Sequence, residues 1–136
     1  MTQLHKALYS FWSGFSYAGQ KIPAYLSGHV PDGAQFPYFT FEIVDGDFYG
    51  NTVLTAYIWC KATSGANVNA QRAAILDDVA RAISSSCGAR LLYPGGMAML
   101  YRNSASFQSY LDDPDDKDIV GGRISYEIYF FQGGNA

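Results

Sequence analysis

The residues best suited to chemistry are few and scattered. His29 and Asp32 lie close together in "SGHVPDG", and an imidazole beside a carboxylate can do acid–base work. No nucleophile accompanies them in a recognisable context such as GxSxG or a cysteine with catalytic flanks. The other histidine, His5, falls beside an apolar stripe, as an ordinary boundary residue does. Cys60 and Cys87 form no CxxC pair and have no histidine nearby in sequence, so two reduced, mostly buried thiols are expected. No spacing suits zinc. The run "LDDPDDKD" places Asp112, Asp113, Asp115, Asp116 and Asp118 together, and hard cations favour several carboxylates. It lacks the central glycine and the closing glutamate of an EF-hand, so a solvated acidic loop is expected there. Gly95-Gly96 and Gly121-Gly122 are too short to cradle a phosphate and lack the P-loop lysine; they are expected to be turns. No catalytic residue, metal or cofactor is expected.

The elements that would position these residues follow from periodicity. Leu4, Leu8, Phe11, Trp12 and Phe15 make one helical stripe, predicting a helix over 2–17 with Thr2 as its cap. Pro23 restricts Ile22 to extended backbone, and a short strand is expected over 24–30. In "FPYFTFEIV" Phe39, Phe41 and Ile43 alternate with Tyr38, Thr40 and Glu42, a strand over 36–45 entered through Pro37. That proline lacks a backbone donor and suits a strand start or an edge, where it would also deter uncontrolled pairing. A strand over 51–62 follows, its two faces being Val53, Thr55, Tyr57, Trp59, Lys61 and Leu54, Ala56, Ile58, Cys60. It forms a hairpin with the strand before it. Val68, Ile75, Leu76, Val79, Ala80 and Ile83 mark a helix over 67–85, their stripe interrupted by Arg72, whose stem can lie along the core edge. Asn67 or Asn69 can cap it. Strands over 89–93, 97–102 and 121–131 complete the order α-β-β-β-α-β-β-β. The fold class is therefore α+β, a mostly antiparallel sheet packed against two helices on one face.

The chain has 136 residues, the size of one domain spanning 1–136. It is 49% hydrophobic and 15% charged. No apolar run approaches the roughly 20 residues that cross a bilayer, and the N-terminus lacks the pattern of a signal peptide. No membrane association and a cytosolic origin are expected. The net charge is −3, but the five aspartates and Lys117 of the acidic run carry −4, leaving seven acids against eight bases elsewhere. Clustered Lys and Arg would be needed to hold nucleic acid, so no specific nucleic-acid binding is expected.

With 11 Tyr, 9 Phe and 2 Trp, the domain holds more rings than its interior needs. Tyr and Trp are enriched where a surface is dry on one side and hydrogen-bonded on the other. An aromatic-rich core is the plainer alternative. If helices cover one sheet face, the other presents alternating Tyr, Thr, Trp and charged side chains, and such faces await a partner. Pro37, Tyr38, Tyr57 and Trp59 are the candidate contact residues.

The segment "YLSGHVPDGAQFPYFTFEI" resembles the entry to the sheet in small tail terminators and tail-to-head joining proteins of tailed bacteriophages. The matching residues are Val30, Pro31, Gly33, Ala34, Pro37 and Tyr38. The next strand, the helix "NAQRAAILDDVARAI" and the aromatic last strand match in order and length, so the likeness covers nearly the whole chain. The resemblance implies a non-enzymatic virion component, made in the host cytoplasm and placed at the tail–head junction. Its partners would be itself, in a typically hexameric ring in the virion that can be either a ring or an associating monomer in solution, the tail tube protein, and a head-completion or connector protein. The Asp112–Asp118 loop could then line or flank the opening through which DNA passes. The alternative is a small α+β ligand-binding module, or a weak hydrolase using His29 and Asp32.

Overall fold

The structure, a computed structural model, describes residues 3–42, 52–62, 67–103, 106–113 and 115–132. Helix α1 spans Gln3–Trp12 and buries Leu8 and Trp12. It is shorter than its apolar stripe predicts. Phe15 continues the packing from beyond the helix end, its ring 5.4 Å from that of Phe39 and 5.5 Å from that of Phe11. The cap expected at Thr2 lies outside the described residues.

Two short strands follow, β1 (Ser16–Tyr17) and β2 (Gln20–Lys21), paired antiparallel. Ala18 and Gly19 between them have φ of 53° and 82°, the positive values that a two-residue type I′ hairpin requires at both central positions. Ile22–Pro23 then leads into β3 (Ala24–Leu26). The strand expected over 24–30 stops there, because Ser27-Gly28 turns the chain, with His29 N–H donating to Leu26 C=O at 2.9 Å.

The main sheet is mixed and strongly curled. Its order is β3, β4 (Tyr38–Phe41), β5 (Thr52–Lys61), β9 (Ile119–Gln132), β7 (Gly96–Arg102), β6 (Ala89–Tyr93), with β8 (Gln108–Asp112) also on β9. Every pairing is antiparallel except β3 with β4. Phe39 N–H donates to Pro23 C=O at 2.9 Å, so β3 covers the side of β4 that Pro37 was expected to leave open. The Pro37 edge is not an edge. The Phe36–Pro37 peptide bond is cis. The expected hairpin of β4 and β5 is present, with Tyr38 opposite Trp59 and Phe41 opposite Ala56; its connector, 43–51, lies outside the described residues.

Strand β9 is the spine. Ten of its residues pair with β5 on one side, while β7 and β8 share the other side in succession. Arg102 faces Tyr126 and Gln108 faces Ile124, so β7 hands over to β8 at Ser125 of β9. Asn103 and Phe107 are both tied to Ser125, which accepts from Asn103 N–H at 3.2 Å and donates its own N–H to Phe107 C=O at 2.7 Å. Strand β8 is a correction: the sequence pattern predicts no strand over 108–112 and puts Asp112 in a loop.

Gly121 and Gly122 are a second correction. Instead of forming a turn they lie inside β9, because each lets another group come close. A Cβ on Gly121 would meet the Trp59 ring at 2.8 Å, and one on Gly122 would meet Leu76 Cδ1 at 2.8 Å and Ile58 Cγ2 at 3.0 Å. The turn between β6 and β7 is Pro94-Gly95, with Gly95 at φ 92°, the positive φ that a type II turn needs after its proline; Gly96 already belongs to β7.

Helix α2 spans Val68–Ala82. Its start is capped by Asn67, whose side-chain oxygen accepts from Ala70 N–H at 3.1 Å. Its end is held by Arg102, whose guanidinium donates to Ile83 C=O at 2.8 Å and Ala80 C=O at 2.5 Å. A cation at the carbonyl end also complements the helix dipole. Both helices lie on one face of the sheet. Trp12 packs on Phe39 and Tyr126, and Leu76 reaches Gly122 and Ile58. The core is that face: Phe39, Phe41, Leu54, Ala56, Ile58, Cys60, Leu100, Ile124, Tyr126 and Ile128 are buried with Leu8, Trp12, Ile75, Leu76 and Val79. Cys60 is buried as expected, but Cys87 is exposed, since the Ser84–Gly88 turn carries it out of the core. No helix among the described residues is long and apolar enough to cross a membrane.

Candidate functional site

The face of the sheet opposite α1 and α2 gathers the aromatic residues that alternation assigns to one side. Tyr38 and Trp59 are direct cross-strand partners, as are Thr40 and Tyr57. The Tyr57 and Trp59 rings stack with centroids 5.7 Å apart and planes 19° apart. Trp59 can lie close to the sheet because Gly121 opposite it has no side chain. Its indole Nε1 donates to Thr40 Oγ1 at 3.4 Å. Two further rings extend the cluster. Tyr25 on β3 meets Tyr38 edge-on at 5.7 Å, and Phe36 lies 4.9 Å from Tyr38. Lys61 Nζ stands 5.9 Å over the Phe36 ring, within the range of a cation–π contact. Burial, with the neighbouring Tyr25 adding to it, raises the Tyr38 hydroxyl pKa. Tyr38, Tyr57 and Trp59 are all half-buried, supported by one another rather than by a helix.

Pro37 stands at the border of this cluster and also lines a cavity of about 310 Å³ shared with Tyr17, Lys21, Gln35 and Gln71. Sequence reasoning missed Tyr25 and Phe36 as members. The signal was present as aromatic residues flanking Pro37, but joining Tyr25 to Tyr38 requires the parallel β3–β4 pairing, which three-residue β3 does not announce.

The acidic run has a different construction. Asp112 ends β8, its side chain 87% exposed and its Oδ1 3.9 Å from a guanidinium nitrogen of Arg72. Asp113 Oδ1 accepts from the N–H groups of Asp115 at 2.8 Å and Asp116 at 3.2 Å. Asp116 Oδ1 accepts from Asp118 N–H at 2.9 Å. These carboxylates close successive turns. Among the described residues no group of carboxylates, cysteines or histidines converges to hold a metal ion. Trp59, Gly121 and Leu111 lie in one row across β5, β9 and β8, so the aromatic cluster and the acidic turn occupy the same end of the sheet.

Arg72 links that end to α2. It is 7% exposed and donates to Leu111 C=O and Gly121 C=O, each at 3.2 Å, and to Asn69 Oδ1 at 3.1 Å. Its guanidinium lies 4.1 Å from the Tyr110 ring centroid. The apparent flaw in the helix stripe is therefore the clamp that fixes the β8–β9 corner. It also lies near Cys60, whose pKa is pushed up to about 11 by burial, with Arg72 acting in the opposite sense.

His29 and Asp32 are both exposed on the 27–37 connection and make no contact with each other among the described residues. His5 is half-buried on α1. A search against protein-family models, curated proteins and solved structures returned no match for this chain.

Proposed function

We propose that this protein is a structural assembly subunit, a tail terminator or tail-to-head joining protein of a tailed phage or prophage, acting through shape and self-association. The observation that carries the reading is the helix-free aromatic face of Tyr25, Phe36, Tyr38, Tyr57 and Trp59. Five rings buttressed side by side are pre-organised, so little side-chain entropy remains to be lost when a partner covers them. Aromatic anchors of this kind dominate interface energetics. The sequence likeness around Val30–Tyr38 supplies the kind of partner: further copies of the chain, the tail tube, and the head connector.

The test is reconstitution. Purified protein added to tail tubes lacking it should decorate tube ends, seen by electron microscopy, and restore their joining to DNA-filled heads. Tyr57→Ala with Trp59→Ala should lose both. Tubes that stay undecorated, or a double variant that joins heads as well as the parent does, would overturn the reading. Replacing the five aspartates 112, 113, 115, 116 and 118 by asparagine tests the placement of the acidic run at the DNA passage. Reduced yield of infectious particles is expected, and normal yield would remove that placement.

A further inference from the structure

Two features remain unused, and they lie at opposite ends of the β9 line. Between α1 and the outer edge of β6 runs a groove of about 460 Å³. Ala7, Phe11 and Tyr93 give it apolar walls, and Leu92 on its border is 68% exposed. Lys6 and Arg90 also line it, both exposed and without an ion-pair partner among the described residues. Among the described residues strand β6 pairs with β7 only, so no described strand takes up the backbone donors and acceptors along its other side. Such an edge beside a helix is the geometry in which an extended segment is added as a further strand.

Strand β8 is, among the described residues, the second open edge. Phe107 C=O accepts from Ser125 N–H and Asp113 N–H donates to Ile119 C=O. The odd-numbered residues of this line therefore face β9, and the backbone groups of Gln108, Tyr110 and Asp112 face outward. Tyr110 is 61% exposed. It stands on the helix-bearing side, opposite Gly122, and the acidic turn follows immediately. Arg90 lies level with Tyr129 by way of Met99, whereas Asp112 lies level with Val120. At about 3.4 Å per residue this separates them by roughly 30 Å along β9. The acids cannot reach their own groove.

We infer that the groove between α1 and β6 receives the β8 edge and the acidic turn of a second copy of this chain. The neighbour's β8 extends the sheet beside β6, Tyr110 enters between Phe11 and Ala7, and the aspartates after it face Lys6 and Arg90. One patch meets a different patch, so each copy keeps one donor and one acceptor free. The inference rests on the assembly reading above, and it adds which surfaces of the chain meet.

Sedimentation velocity of the full chain across concentration tests it. The parent protein should associate, and the association should weaken as salt rises from about 0.05 M to about 0.5 M. Lys6→Glu with Arg90→Glu should weaken it by roughly tenfold or more, and so should Asp115→Lys with Asp118→Lys. Neither pair touches the core, and an unchanged circular dichroism melt checks this. An equimolar mixture of the two variants should associate again, because each now complements the other. A parent protein that remains monomeric throughout, reversals without effect, or a mixture that fails to recover would each overturn the interface. If the reversals have no effect but Tyr57→Ala with Trp59→Ala abolishes association, the assembly reading stands and this interface falls.

Discussion

Strand β5 carries two different surfaces on one backbone. Its even-numbered side, Leu54, Ala56, Ile58 and Cys60, is buried beneath the helices, while Tyr57 and Trp59 on the odd side are half-buried with no helix over them. Both sides are apolar, so hydrophobicity alone does not separate them. Ring type does. Small and aliphatic residues fill the side that must pack closely against helices, and Tyr and Trp, each with a polar tip, fill the side that meets water or a partner. If the bare face carries association, as proposed above, stability and association are divided between the two faces, and substitutions should separate them.

The largest effect is expected at the centre of the helix-covered side. Trp12 is fully buried against Phe39 and Tyr126, and Trp12→Ala should cost about 4 kcal/mol in urea unfolding. Gly122→Val should follow at about 3 kcal/mol, because its side chain would collide with Leu76 and Ile58. Arg72→Ala removes a second donor from the Leu111 and Gly121 carbonyls and should cost about 2 kcal/mol, with hydrogen exchange quickening first in β8. On the bare side, Tyr57→Ala should change stability by only about 1 kcal/mol or less, yet weaken tube-end binding by tenfold or more. A Tyr57 variant that unfolds like Trp12→Ala would erase the division between the faces.

Alkaline pH sharpens the same contrast. The unfolded chain gives up the Cys60 proton near pH 9.0, whereas burial holds it to about 11 in the folded protein. Stability is therefore full below about 9 and falls as pH rises through that window. Tyr126, fully buried, has its hydroxyl pKa raised by burial and adds a loss of the same sign. The Trp12 indole N–H faces that hydroxyl without reaching hydrogen-bond geometry and offsets the shift only in part. Urea midpoints at about pH 8 and about pH 10.5 should differ in the parent protein, and the difference should shrink in Cys60→Val. Exposed Cys87 should react with a thiol reagent in the folded state, while Cys60 should react only on unfolding.

The parts legible in the sequence were those where one period governs a long run. Residues 53–61 of β5 alternate without exception, and α2 keeps its stripe except at Arg72. Where a few residues are placed by distant ones, local pattern fails. Strand β3 is three residues long and exists because β4 accepts it in parallel. Strand β8 reads as the approach to an acidic loop, since only its pairing with β9, restarted at Phe107, makes it a strand. Gly121-Gly122 reads as a turn because glycine usually breaks strands, yet here the missing side chains are what the neighbours need. Of the candidate site, Tyr38, Tyr57 and Trp59 follow from alternation, whereas Tyr25 and Phe36 join them only through tertiary pairing.

That pair of glycines also sets the thickness of the molecule at one point. An indole rests on one side of the backbone there and a helix leucine on the other, with a single peptide layer between them. A bulkier residue at either glycine would push the indole and the leucine apart, so the proposed contact face and the helix-covered interior are two sides of the same wall.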